Sequence, residues 1–220
     1  MVIMAGGRGL RLHPLTENRP KPLLQVGSKP MLEELIEHFV DQDFTDIHIL
    51  VCYKADMIME YFGDGLDFGC KITYHVEIEP LGTAGGLRLI KSPDQPFIVT
   101  NADVITEIDY RDLLIKHIQF NTVATACLAL YQHQIPYGVV ELAHQCLVKL
   151  REKPIENFSV LAGIYVLDPF ALGRIPPRGA YDMTSLLTNI ANATGSVNTY
   201  QLKNHWQDIG TFQDFTGANR

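Results

Sequence analysis

A short apolar strand, Val2-Ile3-Met4, runs directly into Ala5-Gly6-Gly7-Arg8-Gly9-Leu10-Arg11-Leu12, and Pro20-Lys21-Pro22 follows downstream. The three glycines let the backbone approach a ligand closely, and the interleaved cations mark that ligand as an anion. Between Arg8 and Lys29 there are five Lys or Arg residues against one acid, Glu17, in a chain whose formal charge is -7. A basic loop on an acidic protein is a local anion site rather than a nucleic-acid surface.

Two familiar glycine motifs fail against these letters. The phosphate loop of P-loop NTPases needs Gly-Lys-Ser/Thr, which does not occur. The dinucleotide fingerprint would begin at Gly7-Arg8-Gly9, but its third glycine position holds Leu12, which would crowd the packing of helix on strand.

Further along, Met31, Leu32, Leu35, Ile36, Phe39 and Val40 fall at helical spacing after Pro30, so this segment reads as an amphipathic helix packed on a sheet. Strands are expected at 47–52, 72–76 and 97–100, with helices at 55–62, from about Thr83, and at 109–119. The later part is richer in strand, at 123–130, 139–142, 147–150 and 160–167, followed by a helix at 183–193 and two short strands. Alternation of this kind predicts an α/β fold with a Rossmann-like, mostly parallel mixed sheet and helices on both faces. Ligands in such sheets bind at the carboxyl ends of strands, which is where Gly6 to Arg11, Asp103 and Asp208 fall.

The 220 residues suffice for a substantial core, and 46% hydrophobic with 20% charged is ordinary for a globular protein. No apolar run is long enough to span a membrane and no signal peptide is visible, so cytoplasmic residence is the default expectation. Cys52, Cys70, Cys127 and Cys146 lack C-x-x-C spacing and are expected to be reduced. The eight histidines show no zinc-ligand spacing, and Met31, Met57, Met59 and Met183 read as core filling.

Beyond the opening loop, Pro14-Leu15-Thr16, Arg19-Pro20-Lys21-Pro22-Leu23-Leu24, Leu81-Gly82-Thr83-Ala84-Gly85, Asn101-Ala102-Asp103, Tyr137-Gly138-Val139-Val140, Glu152-Lys153-Pro154, Ala162-Gly163-Ile164-Tyr165 and Trp206-Gln207-Asp208-Ile209-Gly210 follow in order. Together these motifs resemble the sugar-1-phosphate nucleotidyltransferases, the nucleotide-sugar pyrophosphorylases, over nearly all of the chain. The resemblance implies a nucleotide-diphospho-sugar transferase (GT-A-like) fold in one domain, 1–220, with 1–120 mainly serving the nucleotide and 121–220 mainly the sugar. It implies attack of a sugar-1-phosphate on the α-phosphorus of a nucleoside triphosphate. By the same resemblance, Arg11, Lys21 and Asp103 would be catalytic, and Ala5, Gly6, Gly7, Gly9, Leu81, Gly82 and Thr83 would bind the nucleotide. Gly138, Glu152, Lys153 and Gly163 would bind the sugar phosphate, and Asp103 with Asp208 would hold Mg2+, a hard ion suited to oxygen ligands.

Each residue also has a plainer reading. Asp103 could cap a loop or helix, Asp208 could be a structural corner, and Lys21 could be a solvated cation held extended between prolines. Glu152 and Lys153 could form a surface ion pair, and Leu81 to Gly86 could be a helix-entry turn capped by Thr83. Three residues depart from the family pattern: Leu10 stands where Thr or Ser is usual, Ala102 replaces a common Gly, and Leu161 sits where Asn often precedes Ala-Gly-Ile-Tyr.

The stretch from Glu77 through Glu79-Pro80 to Gly85 is similar to that of guanylyltransferases acting on mannose-, heptose- or amino-sugar-1-phosphates, including bacterial members with regulatory CBS modules ahead of the transferase. An acidic or carbonyl-rich loop can accept the N1/N2 donors of guanine, which favours GTP, with thymidylyl or uridylyl transfer the alternative. The expected partners are a nucleoside triphosphate and a sugar-1-phosphate, with neither nucleic acid nor membrane; a homo-oligomer stays open. The first strand is short for a central one, so a preceding regulatory segment, omitted or naturally absent, is also expected. No hexapeptide repeats follow the Trp206 motif. An active enzyme and a non-catalytic nucleotide-sugar sensor are both compatible with the motifs, and the presence of Arg11, Lys21, Asp103, Lys153 and Asp208 together favours the enzyme.

Overall fold

The computed structural model describes residues 1–195 and 197–219. In chain order the elements begin with β1 (Val2–Met4), β2 (Gln25–Val26), β3 (Lys29–Pro30), α1 (Met31–Val40), β4 (Asp46–Val51), α2 (Ala55–Phe62) and β5 (Lys71–Val76). Then come α3 (Gly82–Gly85), β6 (Phe97–Asn101), β7 (Val104–Thr106), α4 (Tyr110–Phe120), β8 (Ala124–Gln134), β9 (Val139–Ala143), β10 (Cys146–Arg151) and β11 (Ile155–Leu167). The chain closes with α5 (Met183–Thr194), β12 (Asn198–Gln201), β13 (Trp206–Asp208) and α6 (Phe212–Ala218).

Seven strands form one sheet in the order β12-β8-β11-β6-β1-β4-β5. The pairs β1–β4, β1–β6, β4–β5 and β12–β8 are parallel, and β11 runs antiparallel to both β6 and β8. Six strands therefore point one way and β11 alone points back, the mostly parallel mixed sheet that the alternating pattern predicts.

Both sheet faces are covered, and the strand residues divide between them with the two-residue period of a pleat. Ile3, Ile49 and Ile98 face a core completed by Leu32, Ile36 and Phe39 of α1, Ile58 of α2 and Leu113 of α4. Val2, Leu50 and Val99 face the other way, against Leu87 and against Met183, Leu186 and Ile190 of α5. The spacing of Leu32, Ile36 and Phe39 explains why α1 forms: all three are fully buried on one stripe, each contributing about 1.5–3 kcal/mol of transfer free energy. Met31 and Met183 are buried, and Met57 and Met59 pack against the core, as expected of filling residues. A third cluster joins Leu12, Leu24, Val26 and Met31 to Ile209, with Phe215 of α6 against it.

The helix expected from about Thr83 shrinks to four residues, α3, followed by a 3-10 turn at Gly86–Leu89. Glycine is the physical reason, because Gly82, Gly85 and Gly86 withhold helix propensity and Gly82 itself sits at φ +78°. β8 and β11 run several residues beyond their apolar cores. Their overhang is largely exposed and mixes Gln132 and Asn157, hydrogen-bonded across it at 3.0 Å, with Tyr131, Ile155 and Phe158, so no buried face betrays it in sequence. α6 is a further element with no strong periodicity; it starts on a capping box between Thr211 and Asp214. The four cysteines are unpaired, Cys70 and Cys127 buried and Cys146 exposed. Among the described residues, no helix is long and apolar enough to cross a membrane.

Candidate active site

The carboxyl ends of β1 and β6 and the loop after β5 enclose a cleft of ≈ 250 Å³ lined by Ala5, Gly6, Gly7, Lys21, Glu77, Gly82, Thr83, Asn101, Ala102 and Asp103, among others. Gly6 lies in a narrow place: a β-carbon on it would stand 3.2 Å from Cys52 Cβ and 3.5 Å from Glu77 Oε2. Gly9 adopts φ +62°, and a β-carbon there would meet Thr16 at 2.9 Å and Lys21 Cβ at 3.2 Å. Only glycine permits both that turn and the close passage of Lys21 beneath it.

Lys21 leaves a single 3-10 turn, Lys21–Leu23, that starts from Pro20 and includes Pro22; its side chain is buried, and its ammonium donates to Asp103 Oδ2 in an ion pair. The solvated-lysine reading therefore gives way. The other oxygen, Asp103 Oδ1, is buried with no hydrogen-bond partner among the described residues. Asp103 stands two residues past the end of β6, and β13 brings Asp208 beside it: Asp208 pairs with Val104 in an antiparallel ladder, and the Ile209 N–H donates to the Asp103 carbonyl at 3.0 Å. Asp208 is thus the last residue of its strand, at the carboxyl end.

Burial first, and then the neighbouring Asp103 carboxylate, push the Asp208 carboxyl above its ordinary value, opposed by Lys21 and Arg11. Arg11 reaches the same corner, since a β-carbon on Gly210 would lie 3.1 Å from Asp208 Oδ2 and 3.2 Å from Arg11 Nη2. Leu12 explains how an exposed loop can hold this arrangement. It is fully buried against Ile209, so the residue that disqualifies the dinucleotide fingerprint anchors Arg11 and Asp208 to one cluster.

Across the cleft, the loop carrying Leu81, Gly82 and Thr83 is fastened at both ends. The Leu81 N–H donates to Glu77 Oε2 at 3.0 Å, while the Ala84 and Gly85 N–H groups donate to the Tyr181 carbonyl at 2.9 Å each. Thr83 does not cap α3. Its hydroxyl accepts the Met183 N–H at 2.8 Å, its own N–H donates to Asp182 Oδ1 at 3.3 Å, and so the loop and the start of α5 satisfy one another.

The four expected sugar residues divide. Gly163, at φ +76° inside a register shift of β11, abuts Asn101 in the cleft, a β-carbon there falling 2.8 Å from Asn101 Nδ2. Gly138, Glu152 and Lys153 gather at the base of the β9–β10 hairpin, where a β-carbon on Gly138 would stand 3.1 Å from Glu152 Oε2 and the Lys153 N–H donates to the Tyr137 carbonyl at 3.3 Å. They do not line the cleft.

Two wall residues escaped the sequence reading as site residues. Glu77 is buried, which pushes its carboxyl upward against the pull of the Leu81 N–H and Arg88. The available signal was an acid directly at the end of the strand expected at 72–76, which the sequence reading used only as part of the stretch from Glu77 to Gly85. Asn101 opens the Asn-Ala-Asp motif, from which only the aspartate stood out. Of the departures, Leu10 is exposed and Ala102 is buried in the cleft wall. No cluster of three or more His, Cys, Asp or Glu among the described residues could hold a metal ion by itself. The acidic pair Asp103 and Asp208 is the remaining candidate, and it suits an ion that takes its other ligands from phosphates and water.

The nucleotidyl transferase family model matches residues 1–220. The chain is 33% identical over 224 residues to a mannose-1-phosphate guanyltransferase of Schizosaccharomyces pombe and 34% identical over 227 residues to one of Gibberella zeae, in each case with 97% of this chain covered. It spans 61% of the length of each of these relatives. A Bacillus anthracis structure described as a glucose-1-phosphate thymidylyltransferase superposes with a TM-score of 0.80 at 25% identity, over 99% of this chain and 92% of that one. HddC from Yersinia pseudotuberculosis shares the fold, with a TM-score of 0.73 at 24% identity over 99% of this chain and 96% of that one. Matched by that model from end to end, the chain belongs to the nucleotidyl transferase family, the sugar-1-phosphate nucleotidyltransferases.

Proposed function

We propose that the protein is a Mg2+-dependent guanylyltransferase that joins GMP from GTP to a sugar-1-phosphate, mannose-1-phosphate first among the candidates, and releases pyrophosphate. The observation that carries this reading is the convergence of Lys21, Asp103, Asp208 and Arg11 at one end of a glycine-lined cleft. The names of the curated relatives support the choice of base and sugar.

In this reaction an oxygen of the sugar-1-phosphate attacks the α-phosphorus, the bond from that phosphorus to the α–β bridging oxygen breaks, and pyrophosphate leaves with the electron pair. Two polyanions must approach in line, so the protein has to neutralise charge and align reactants. Gly6 and Gly7 give the triphosphate access to the backbone, and Lys21 and Arg11 supply positive charge where pyrophosphate gathers negative charge. Gly163 beside Asn101, and Gly138, Glu152 and Lys153 at the base of the β9–β10 hairpin, receive the sugar phosphate. Asp103 and Asp208 fit Mg2+ through their hard oxygens, one of them buried and unpartnered, and the bound ion would screen the phosphates from one another.

Glu77 supports guanine over uracil and thymine. Its carboxylate in the cleft wall, with Oε2 also accepting the Leu81 N–H, retains acceptor capacity for a guanine N–H, whereas uracil and thymine present one N–H flanked by carbonyls that a carboxylate repels. A cytoplasmic setting belongs to the same proposal.

Asp103→Ala tests the reading. Pyrophosphate release is expected to fall by about 10²–10³-fold or more, in the range for loss of one electrostatic group at a reacting centre, while the circular-dichroism melt stays cooperative. Unchanged turnover in a folded variant would remove Asp103 from the chemistry.

A further inference from the structure

One of the two carboxylates assigned above to a divalent ion, Asp103, already holds a cation of the protein's own. Lys21 is buried, its backbone is set by a 3-10 turn between Pro20 and Leu24, and its Cβ is wedged beneath Gly9. Its ammonium occupies Asp103 Oδ2, one of the oxygens that a metal would need. Asp103 Oδ1 is left buried without a partner, and Asp208 stands beside it through the β7–β13 ladder. A bare divalent ion arriving here meets an ammonium bonded to the same carboxylate and is repelled with twice the force felt by a monovalent one. A triphosphate changes the balance, because its oxygens offer the ammonium another set of anionic acceptors. The lysine stem has the rotatable bonds to reach them while its backbone stays fixed.

We propose that Lys21 is an internal counter-cation that keeps the Asp103–Asp208 position closed to divalent metal until a nucleoside triphosphate draws the ammonium away, so that metal enters with the nucleotide and not before it. This rests on the assignment of Asp103 and Asp208 as metal carboxylates. The device has a second consequence: between turnovers, the Asp103 carboxylate keeps a counter-charge in a partly buried site.

The test uses Mn2+ as the probe, its free fraction counted by electron paramagnetic resonance, on the full chain with and without a non-hydrolysable GTP analogue. Wild-type protein is expected to bind Mn2+ at least tenfold tighter when the analogue is present. In Lys21→Met, analogue-free Mn2+ binding tightens at least tenfold and the coupling between analogue and Mn2+ falls at least tenfold below the wild-type ratio, leaving only the part that the phosphate ligands themselves supply. Lys29→Met, which removes a cation paired with Glu37 elsewhere, behaves as wild type. Equal Mn2+ affinity of the wild type with and without the analogue overturns the proposal, whether or not Lys21→Met folds. A coupling ratio in Lys21→Met equal to the wild-type ratio overturns it too, because simple removal of charge raises both affinities alike. Asp103→Asn separates this failure from failure of the metal assignment: if it binds Mn2+ as the wild type does with the analogue present, the carboxylate assignment itself falls.

Discussion

Asp208 shows how the proposed site trades stability for chemistry. Burial and the Asp103 carboxylate raise its pKa from an ordinary 3.8, with Lys21 and Arg11 pulling the other way. The unfolded chain therefore releases this proton at a lower pH than the folded chain does. Across the window from the ordinary value up to the raised one, the folded state binds more protons, so the group's contribution to stability grows as pH falls and is least favourable at neutrality. Asp208→Asn is accordingly expected to melt at a higher temperature than metal-free wild type at pH 7. The difference should narrow as the pH drops through that window, while pyrophosphate release is lost. A lower melting temperature for Asp208→Asn at pH 7 would contradict the electrostatic account of this corner.

Among the elements, the short α3 and the start of α5 act as one piece. Thr83 donates its N–H to Asp182 Oδ1, its hydroxyl accepts the Met183 N–H at the helix N-terminus, and the Tyr181 carbonyl accepts two more N–H groups. Asp182 is exposed and does not line the cleft, so its effect on nucleotide binding must pass through the position of Thr83. In Asp182→Ala the KM for the nucleotide should rise about 2- to 12-fold, the range of one hydrogen bond worth about 0.5–1.5 kcal/mol, with the KM for the sugar-1-phosphate unchanged. Asp182→Asn keeps an acceptor oxygen and should restore the wild-type value. If Asp182→Ala raised both KM values together, or if Asp182→Asn failed to restore, the clasp would be a general support of the fold and not a positioning device.

For the molecule as a whole, what the sequence discloses follows from how local each signal is. α1 declares itself because Leu32, Ile36 and Phe39 repeat within one helix, and β6 because four successive residues are buried on two covered faces. The glycine loop and Asp103 are legible for the same reason, each being a few adjacent residues at the end of a strand. The meeting of Asp103 with Asp208 is not local: it needs β13 to return across the molecule to β7, and a three-residue strand carries too little pattern to announce its partner. Nor does the letter Thr83 disclose that its hydroxyl caps a helix 100 residues away rather than its own. The sheet likewise ignores the division of the chain at residue 120, since β8, β11 and β12 extend the same sheet that β1, β4, β5 and β6 begin. Gly163 of the later part therefore comes to lie against Asn101 of the earlier one. The central claim is that this convergence performs guanylyl transfer. Its most direct test is pyrophosphate release with Mg2+, using GTP, UTP, dTTP, CTP and ATP in turn against mannose-, glucose-, glucosamine- and heptose-1-phosphates. The account predicts release with GTP and one of these sugars, mannose-1-phosphate first, and none when Mg2+ is chelated; release with dTTP or UTP in place of GTP, or none with any pair while GTP still binds, would contradict it.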